Sequence, residues 1–161
     1  MSKTYVLGLD VSMNSTGWAV LSVSPNGTVR LVETGVIKAN TKHSHGQRLR
    51  NQRENFAAIM KKYPIKYAAR EAGFARYIKS TQVLFKAYGV AEEYFCELDL
   101  VEYAPRTIKK VVAGKGKATK EEVKKAIREI LQLGDDFEFK SDDESDAVAV
   151  AITLIKDKIL K

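Results

Sequence analysis

Four acids are placed where acids are costly. Asp10 closes an almost wholly apolar run, Tyr5-Val6-Leu7-Gly8-Leu9, and Glu71, Asp143 and Asp146 echo it downstream, each at the end of a strand-like run or the start of a helix-like one. An unpaired carboxylate set against a core costs on the order of several kcal/mol, so the pattern calls for a compensating positive charge. A divalent metal ion is the simplest candidate, and metal-binding acids in a basic protein point to phosphodiester chemistry.

The last pair needs a separate argument, because a helix start also attracts acids. Ser141-Asp142-Asp143-Glu144 fits a capping box, in which Ser141 and Glu144 satisfy free N–H groups and acids favour the positive end of the helix dipole. Capping accounts for Asp142 and Glu144. It does not account for Asp146, which is followed by an apolar stripe and shares a face with Val150 and Thr153. Asp143 lies three residues before Asp146, so both carboxylates point along one inward side, where they repel unless protonated or bridged by cations.

Length and composition set the frame. The chain has 161 residues, 45% of them hydrophobic, which is the size of one ordinary domain with a real core. The lone Cys96 has no partner for an internal disulfide and suits a reducing interior. The N-terminus lacks a charged segment followed by a long apolar one, and the late run from Ala147 to Ile155 is too short to span a bilayer. These features predict a cytoplasmic protein with no membrane segment.

Net charge is +7, and much of it is concentrated. Arg106, Lys109, Lys110, Lys115, Lys117, Lys120, Lys124 and Lys125 stand against Glu121 and Glu122 alone, so the stretch from Arg106 to Lys125 carries +6. Such a cluster can neutralise several phosphates, although a solvated helical face has the same composition. The glycines of Ala113-Gly114-Lys115-Gly116-Lys117 favour phosphate contact, because they let backbone N–H groups approach an anion.

The elements that must carry these residues alternate, without repeats or linkers. Residues 4–11 and 17–24 read as strands, and Pro25-Asn26-Gly27 signals a turn into a third strand at 28–37, giving an antiparallel meander. From Ser44 to Tyr63, Leu49, Phe56, Ile59, Met60 and Tyr63 recur at helical spacing until Pro64. A strand over 65–71 ends at Glu71. Arg76 to Glu97 places Tyr77, Leu84, Tyr88, Ala91 and Phe95 in one helical seam, widened by Ile78 and Phe85. Leu98 to Tyr103 reads as a fifth strand, Thr119 to Leu133 and Ser141 to Leu160 as helices. The sum is an α/β protein: a mixed five-stranded sheet, meander first and parallel strands after, flanked by helices in a single domain over 1–161.

These residues also carry a resemblance. Tyr5-Val6-Leu7-Gly8-Leu9-Asp10 with Ser15-Thr16-Gly17-Trp18-Ala19-Val20 resembles the first motif of the RuvC-type Holliday junction resolvases and the related nuclease segment of Cas9. The likeness continues through Arg70-Glu71-Ala72-Gly73-Phe74-Ala75, from Pro105-Arg106 to Gly114-Lys115-Gly116-Lys117-Ala118-Thr119-Lys120, and through Asp143-Glu144-Ser145-Asp146-Ala147-Val148-Ala149. It implies an RNase H-like fold in which Asp10, Glu71, Asp143 and Asp146 hold two magnesium ions, with manganese able to substitute. It implies a DNA endonuclease that cuts four-way junctions and other branched DNA hydrolytically, leaving 5′-phosphate and 3′-hydroxyl ends. Lys120 is then a catalytic cation, and Phe74, Arg76, Arg106, Lys109, Lys110, Lys115 and Lys117 join it as DNA contacts, Phe74 by stacking. A homodimer is implied too, since a four-way junction offers two equivalent strands. The seam from Tyr77 to Phe95, with Gly89 permitting close approach, is the candidate contact.

Departures from the family pattern bear on specificity. Val11-Ser12 follows the first aspartate where bacterial members usually carry Pro-Gly, and Gly73 precedes Phe74 where a bulkier residue is common. Both changes look closer to phage-encoded relatives, so a bacterial cell or a phage-infected host is the expected setting. Two other readings stand beside this one. Gly8-Leu9-Asp10-Val11-Ser12 with Thr16-Gly17 also resembles the first phosphate loop of actin-like ATPases and sugar kinases, but 161 residues cannot supply two lobes, and no nucleotide cofactor is expected. A junction-binding protein without nuclease activity is the other. His43 and His45 lack the partners of a zinc site, and Ser12, Ser15 and Thr16 are expected to shape the first turn rather than act as nucleophiles.

Overall fold

The turn signal at Pro25-Asn26-Gly27 sets the first strands. Gly27 adopts φ +86°, which favours glycine, and its N–H donates to the Ser24 carbonyl at 2.8 Å. In the computed structural model, which describes residues 2–73 and 75–161, β1 (Thr4–Asp10), β2 (Ser15–Val23) and β3 (Val29–Lys38) form the expected antiparallel meander. There follow α1 (His45–Lys62), β4 (Ile65–Glu71), α2 (Ile78–Tyr94), β5 (Val101–Tyr103), α3 (Pro105–Ala113), α4 (Lys120–Ile130) and α5 (Asp142–Lys158). The five-stranded sheet runs β3-β2-β1-β4-β5, with β4 parallel to both β1 and β5.

Because β1 and β4 are parallel, Asp10 and Glu71 end their strands on one edge of the sheet. Helices cover both faces. α1 and α2 bury Phe56, Ile59, Ala87, Ala91 and Phe95 against Leu7, Leu9 and Val20 on one side. On the other, α5 is buried nearly all round from Glu144 to Ile155, as a helix sandwiched between the sheet and α3 and α4 must be.

Two glycines set how closely α5 approaches. A Cβ on Gly17 would overlap the Asp143 carbonyl, 2.5 Å from its carbon, and one on Gly8 would come within 2.6 Å of the Ala151 nitrogen. Gly17 is also the register partner of Asp10. The first turn of α5 therefore rests on the strand pair that carries the first acid.

Several boundaries differ from the sequence expectation for local reasons. The second helix starts at Ile78 and ends at Tyr94, where Cys96–Leu98 tightens into a 3-10 turn and Asp99 turns left-handed (φ 48°), leaving only Val101–Tyr103 for the fifth strand. The helix expected over 119–133 ends at Ile130, with Gln132 at φ 54°. α3 was not anticipated. Pro105 at its first turn and Gly114 beyond its end (φ +85°) are its start and stop signals, embedded in the cationic stretch between the fifth strand and the helix expected from Thr119. Among the described residues no helix is long and apolar enough to cross a membrane.

Candidate active site

Each of the four acids occupies an element end on the same edge of the sheet: Asp10 closes β1, Glu71 closes β4, and Asp143 and Asp146 stand in the first turns of α5. Two adjoining concavities join Asp10, Glu71 and Asp146, and Asp143 lines neither. One, of about 460 Å³, is lined by Asp10, Glu71, Gly73 and Tyr88, and the other, of about 250 Å³, by Glu71, Lys109, Lys120 and Asp146.

Burial first, then repulsion from Asp146, Glu71 and Asp143, raises the Asp10 pKa to about 7, and Lys120 opposes that rise. Burial also raises the Glu71 and Asp146 carboxyls, against Lys109 and Lys120 for Glu71 and chiefly Lys120 for Asp146. The Lys120 ammonium lies 3.5 Å from Asp146 and 3.4 Å from Asp142, and those two carboxylates raise its own pKa against the opposing effect of burial. Asp143 is held differently: Ser15 Oγ donates to its Oδ2 at 2.8 Å. Among the described residues no three acids, histidines or cysteines form one common ligand shell. Like charges stand apart here, with Lys120 on Asp146 and Ser15 on Asp143. The donor set is nevertheless hard oxygen with an excess of negative charge in a partly desolvated cleft, which suits a divalent cation of the magnesium or manganese type.

A raised carboxyl pKa has a definite sign for stability. The protonated form is favoured in the folded state, so the Asp10 contribution is full below about pH 4 and is lost as pH rises toward about 7. A displacement from 3.8 to about 7 corresponds to roughly 4 kcal/mol between the two protonation states. The metal-free thermal midpoint of Asp10→Asn, measured against wild type, should therefore climb between pH 5 and pH 8. A difference that is flat with pH would mean that Asp10 is not electrostatically strained.

Other side chains fix the loop after Asp10. Gln52, 1% exposed, donates to the Ser12 carbonyl at 2.6 Å and meets Thr16 Oγ1 at 2.9 Å, while Ser12 Oγ donates to the Ser15 carbonyl at 2.8 Å. Ser12, Ser15 and Thr16 thus shape the turn, as expected, and Ser15 additionally tethers an acid.

Three features were not foreseen. Glu144 does not complete a capping box: it is buried, accepts from Thr34 Oγ at 2.7 Å, and ties the start of α5 to β3, while Ser141 caps the helix through the Glu144 N–H at 3.3 Å. Asp142 is drawn to Lys124 at 2.8 Å. Arg70, one residue before Glu71, is buried between Glu92 (2.8 Å) and Glu102 (2.9 Å), with its guanidinium 3.8 Å from the Tyr88 ring centre. A lone arginine in the apolar run Tyr67-Ala68-Ala69-Arg70 was the available signal, since a buried guanidinium requires partners.

The remaining candidates divide. Lys109 and Lys120 line the cleft. Arg106, Lys110 and Lys117 are exposed around the α3–α4 junction, and Lys115 pairs with Glu122. Arg76 lies over the Tyr77 ring at 5.6 Å. Phe74 lies outside the described residues. The seam of the second helix splits: Tyr88, Ala91 and Phe95 turn into the core, whereas Tyr77, Ile78 and Phe85 are 65%, 79% and 54% exposed.

Comparison with known proteins gives a consistent result. The family model for the crossover junction endodeoxyribonuclease RuvC matches residues 6–154. RuvC of Ehrlichia canis (strain Jake) is 36% identical over 151 residues, covering 91% of this chain and 93% of its own. RuvC of Orientia tsutsugamushi (strain Boryong) is 33% identical, covering 92% of each. Among solved structures, T. thermophilus RuvC in complex with Holliday junction substrate superposes with a TM-score of 0.83 at 25% identity, over 93% of this chain and 92% of that one. The yeast mitochondrial Holliday junction resolvase shares the fold, with a TM-score of 0.68 at 14% identity. The mixed sheet with its flanking helices is thus RNase H-like, and the chain belongs to the RuvC family of crossover junction endodeoxyribonucleases.

Proposed function

We propose that this chain is a junction-resolving endonuclease that binds branched DNA, four-way junctions above all, and nicks it by hydrolysis with magnesium ions held by Asp10, Glu71, Asp143 and Asp146. The observation that carries the reading is the placement of Asp10, Glu71 and Asp146 along two adjoining concavities with Lys109 and Lys120, where Asp10 is repelled by Asp146, Glu71 and Asp143. Bound there, divalent ions supply an activated water and polarise the scissile phosphate. The chain's own residues supply the rest. Asp10 and Glu71, fixed at parallel strand ends, give rigid ligands, and Ser15 orients Asp143. Lys120, whose ammonium lies 3.5 Å from Asp146 beside the cleft, would stabilise charge on the phosphate as the bond to the 3′ oxygen breaks. The products carry 5′-phosphate and 3′-hydroxyl ends.

The whole chain, 1–161, acts as one nuclease domain in the cytoplasm of a bacterial cell or of a phage-infected host. Two copies act on a junction, because its two cut strands are related by two-fold symmetry. The outward face of α2, with Tyr77, Ile78 and Phe85 exposed and open space beyond Gly89, is where the second copy packs. The fragment-of-an-ATPase and binding-only readings are not favoured: the family match runs through residues 6–154, and all four acids lie within it.

The basic cluster between α3 and α4 takes the DNA backbone. Lys115→Ala with Lys117→Ala should weaken junction binding and reduce the slope of log K against log salt by about 1 to 2, as for each lost phosphate contact. Fluorescence anisotropy across a salt series checks this, and an unchanged slope would return both lysines to the solvated surface. The test of the function itself is a magnesium-dependent nicking assay on four-way, three-way, flap and linear DNA. Preferential cutting of the four-way substrate is expected, and the absence of cutting on any branched substrate would refute it.

A further inference from the structure

A second cationic surface lies on the other side of the acid cleft from α3 and α4. The chain from Thr34 to Arg53 holds five lysines and arginines (Lys38, Lys42, Arg48, Arg50 and Arg53) and no acid. It spans the end of β3, the loop after it and the first half of α1. Arg53 pairs with Glu93 at 3.7 Å, whereas Lys38, Lys42, Arg48 and Arg50 make no ion pair among the described residues. Lys38, Lys42 and Arg50 are exposed. A concave surface of about 360 Å³ is lined by Lys38, Asn40, His43, Arg48 and Arg50, with Glu54 as its carboxylate.

This surface is fastened directly to the loop that follows Asp10. Arg48 donates to Asn14 Oδ1 at 2.9 Å and to the His43 and Thr41 carbonyls at 2.9 and 2.6 Å, and the Ala39 N–H donates to the Asn14 carbonyl at 3.0 Å. Strand direction gives the same placement: β3 runs antiparallel to β2, and β2 to β1, so Lys38 and Asp10 finish on one edge of the sheet. In strand order across the sheet, β3 with the β3–α1 cations stands on one side, β1 and β4 with Asp10 and Glu71 in the middle, and β5, which leads into α3 and the α3–α4 cations, on the other. A concave surface on which one sign of charge predominates attracts a polyanion; here Glu54 is the acid among the described lining residues, and Arg53, outside the lining, is paired with Glu93.

Resting on the nuclease reading above, we propose that Lys38, Lys42 and Arg50 bind the phosphate backbone of a duplex arm of the junction, on the side of the scissile site opposite α3 and α4. Arg48 shapes this surface through its three loop hydrogen bonds and is not itself the contact to be tested. The two cationic surfaces then grip the DNA on either side of the acids, and the arm held by the β3–α1 segment leaves the cleft past Asn14.

The test uses the full chain with Lys38→Gln, Lys42→Gln and Arg50→Gln combined, and four-way junctions whose arms are either long or trimmed close to the crossover. On long arms the triple variant should bind at least about tenfold more weakly at moderate salt, with its salt slope reduced by about 2 to 3. On trimmed arms its affinity should match wild type, and single-turnover nicking at saturating protein should be unchanged. Unchanged affinity and slope on long arms would overturn the proposal, and so would equal weakening on trimmed arms. Wild type assayed in parallel keeps the two readings apart, since failure of wild type to nick any junction refutes the nuclease reading, whereas nicking without the arm effect refutes only this one. Circular dichroism of the triple variant checks that α1 is intact.

Discussion

Asp10→Asn and Asp146→Asn, made separately, are expected to lower single-turnover nicking of a four-way junction by about a thousandfold or more, corresponding to roughly 4 kcal/mol of lost transition-state stabilisation, while junction affinity changes by less than about threefold. Loss of rate without loss of binding follows from their position: both line the cleft beside Glu71, whose lining includes Lys109 and Lys120 but not the exposed Arg106, Lys110, Lys115 and Lys117. The same Asp10→Asn protein should be more stable than wild type when metal-free at pH 8, because amidation removes a buried charge that three other acids repel. A gain in stability paired with a loss of activity separates an electrostatically strained ligand from a structural acid. Native-rate cutting by either variant would remove that residue from the site.

Gly17→Ala should be almost as damaging, for a reason that involves no lost functional group. The new methyl would overlap the Asp143 carbonyl, so α5 must lift from β2 at the point where it presents Asp143 and Asp146. Overpacking of this kind costs about 1–3 kcal/mol and occasionally more, and α5 has little room to give because it is buried nearly all round. A displacement of about 1 Å at the carboxylates would lower nicking on the order of a hundredfold even in the fraction that folds. Thermal melts and single-turnover rates measured together check this. A variant that melts and cuts like wild type would show that the contact between α5 and the strand pair is looser than described. Gly8→Ala in β1, whose methyl would meet α5 further along at Ala147 and Ala151, should destabilise similarly and disturb the acids less.

Much of this architecture was legible because chemistry and local structure coincide in the chain. Asp10 and Glu71 end apolar runs, and Asp143 and Asp146 begin one, so their positions at element ends follow from periodicity alone. The meander was legible from a turn that requires Gly27, and α1 from its apolar spacing and the stop at Pro64. What escaped depends on partners far away in sequence. Glu144 read as a capping residue because Ser141 is three residues away, while its partner Thr34 lies 110 residues back. Arg70 is explained only by Glu92 and Glu102, 22 and 32 residues on. α3 spans nine residues, too few for a periodic signal inside a run dominated by lysine, although its proline and glycine mark both ends. The seam of α2 was apolar on two faces, and sequence alone could not say which face would meet the sheet and which would remain exposed.

The central claim is that these four acids together hold divalent cations. Its most direct measurement is a calorimetric titration of magnesium into metal-free protein at pH 8, on wild type and Asp146→Asn side by side. Saturable binding by wild type, and its loss in the variant, is the predicted result. Superimposable isotherms for the two proteins would contradict it.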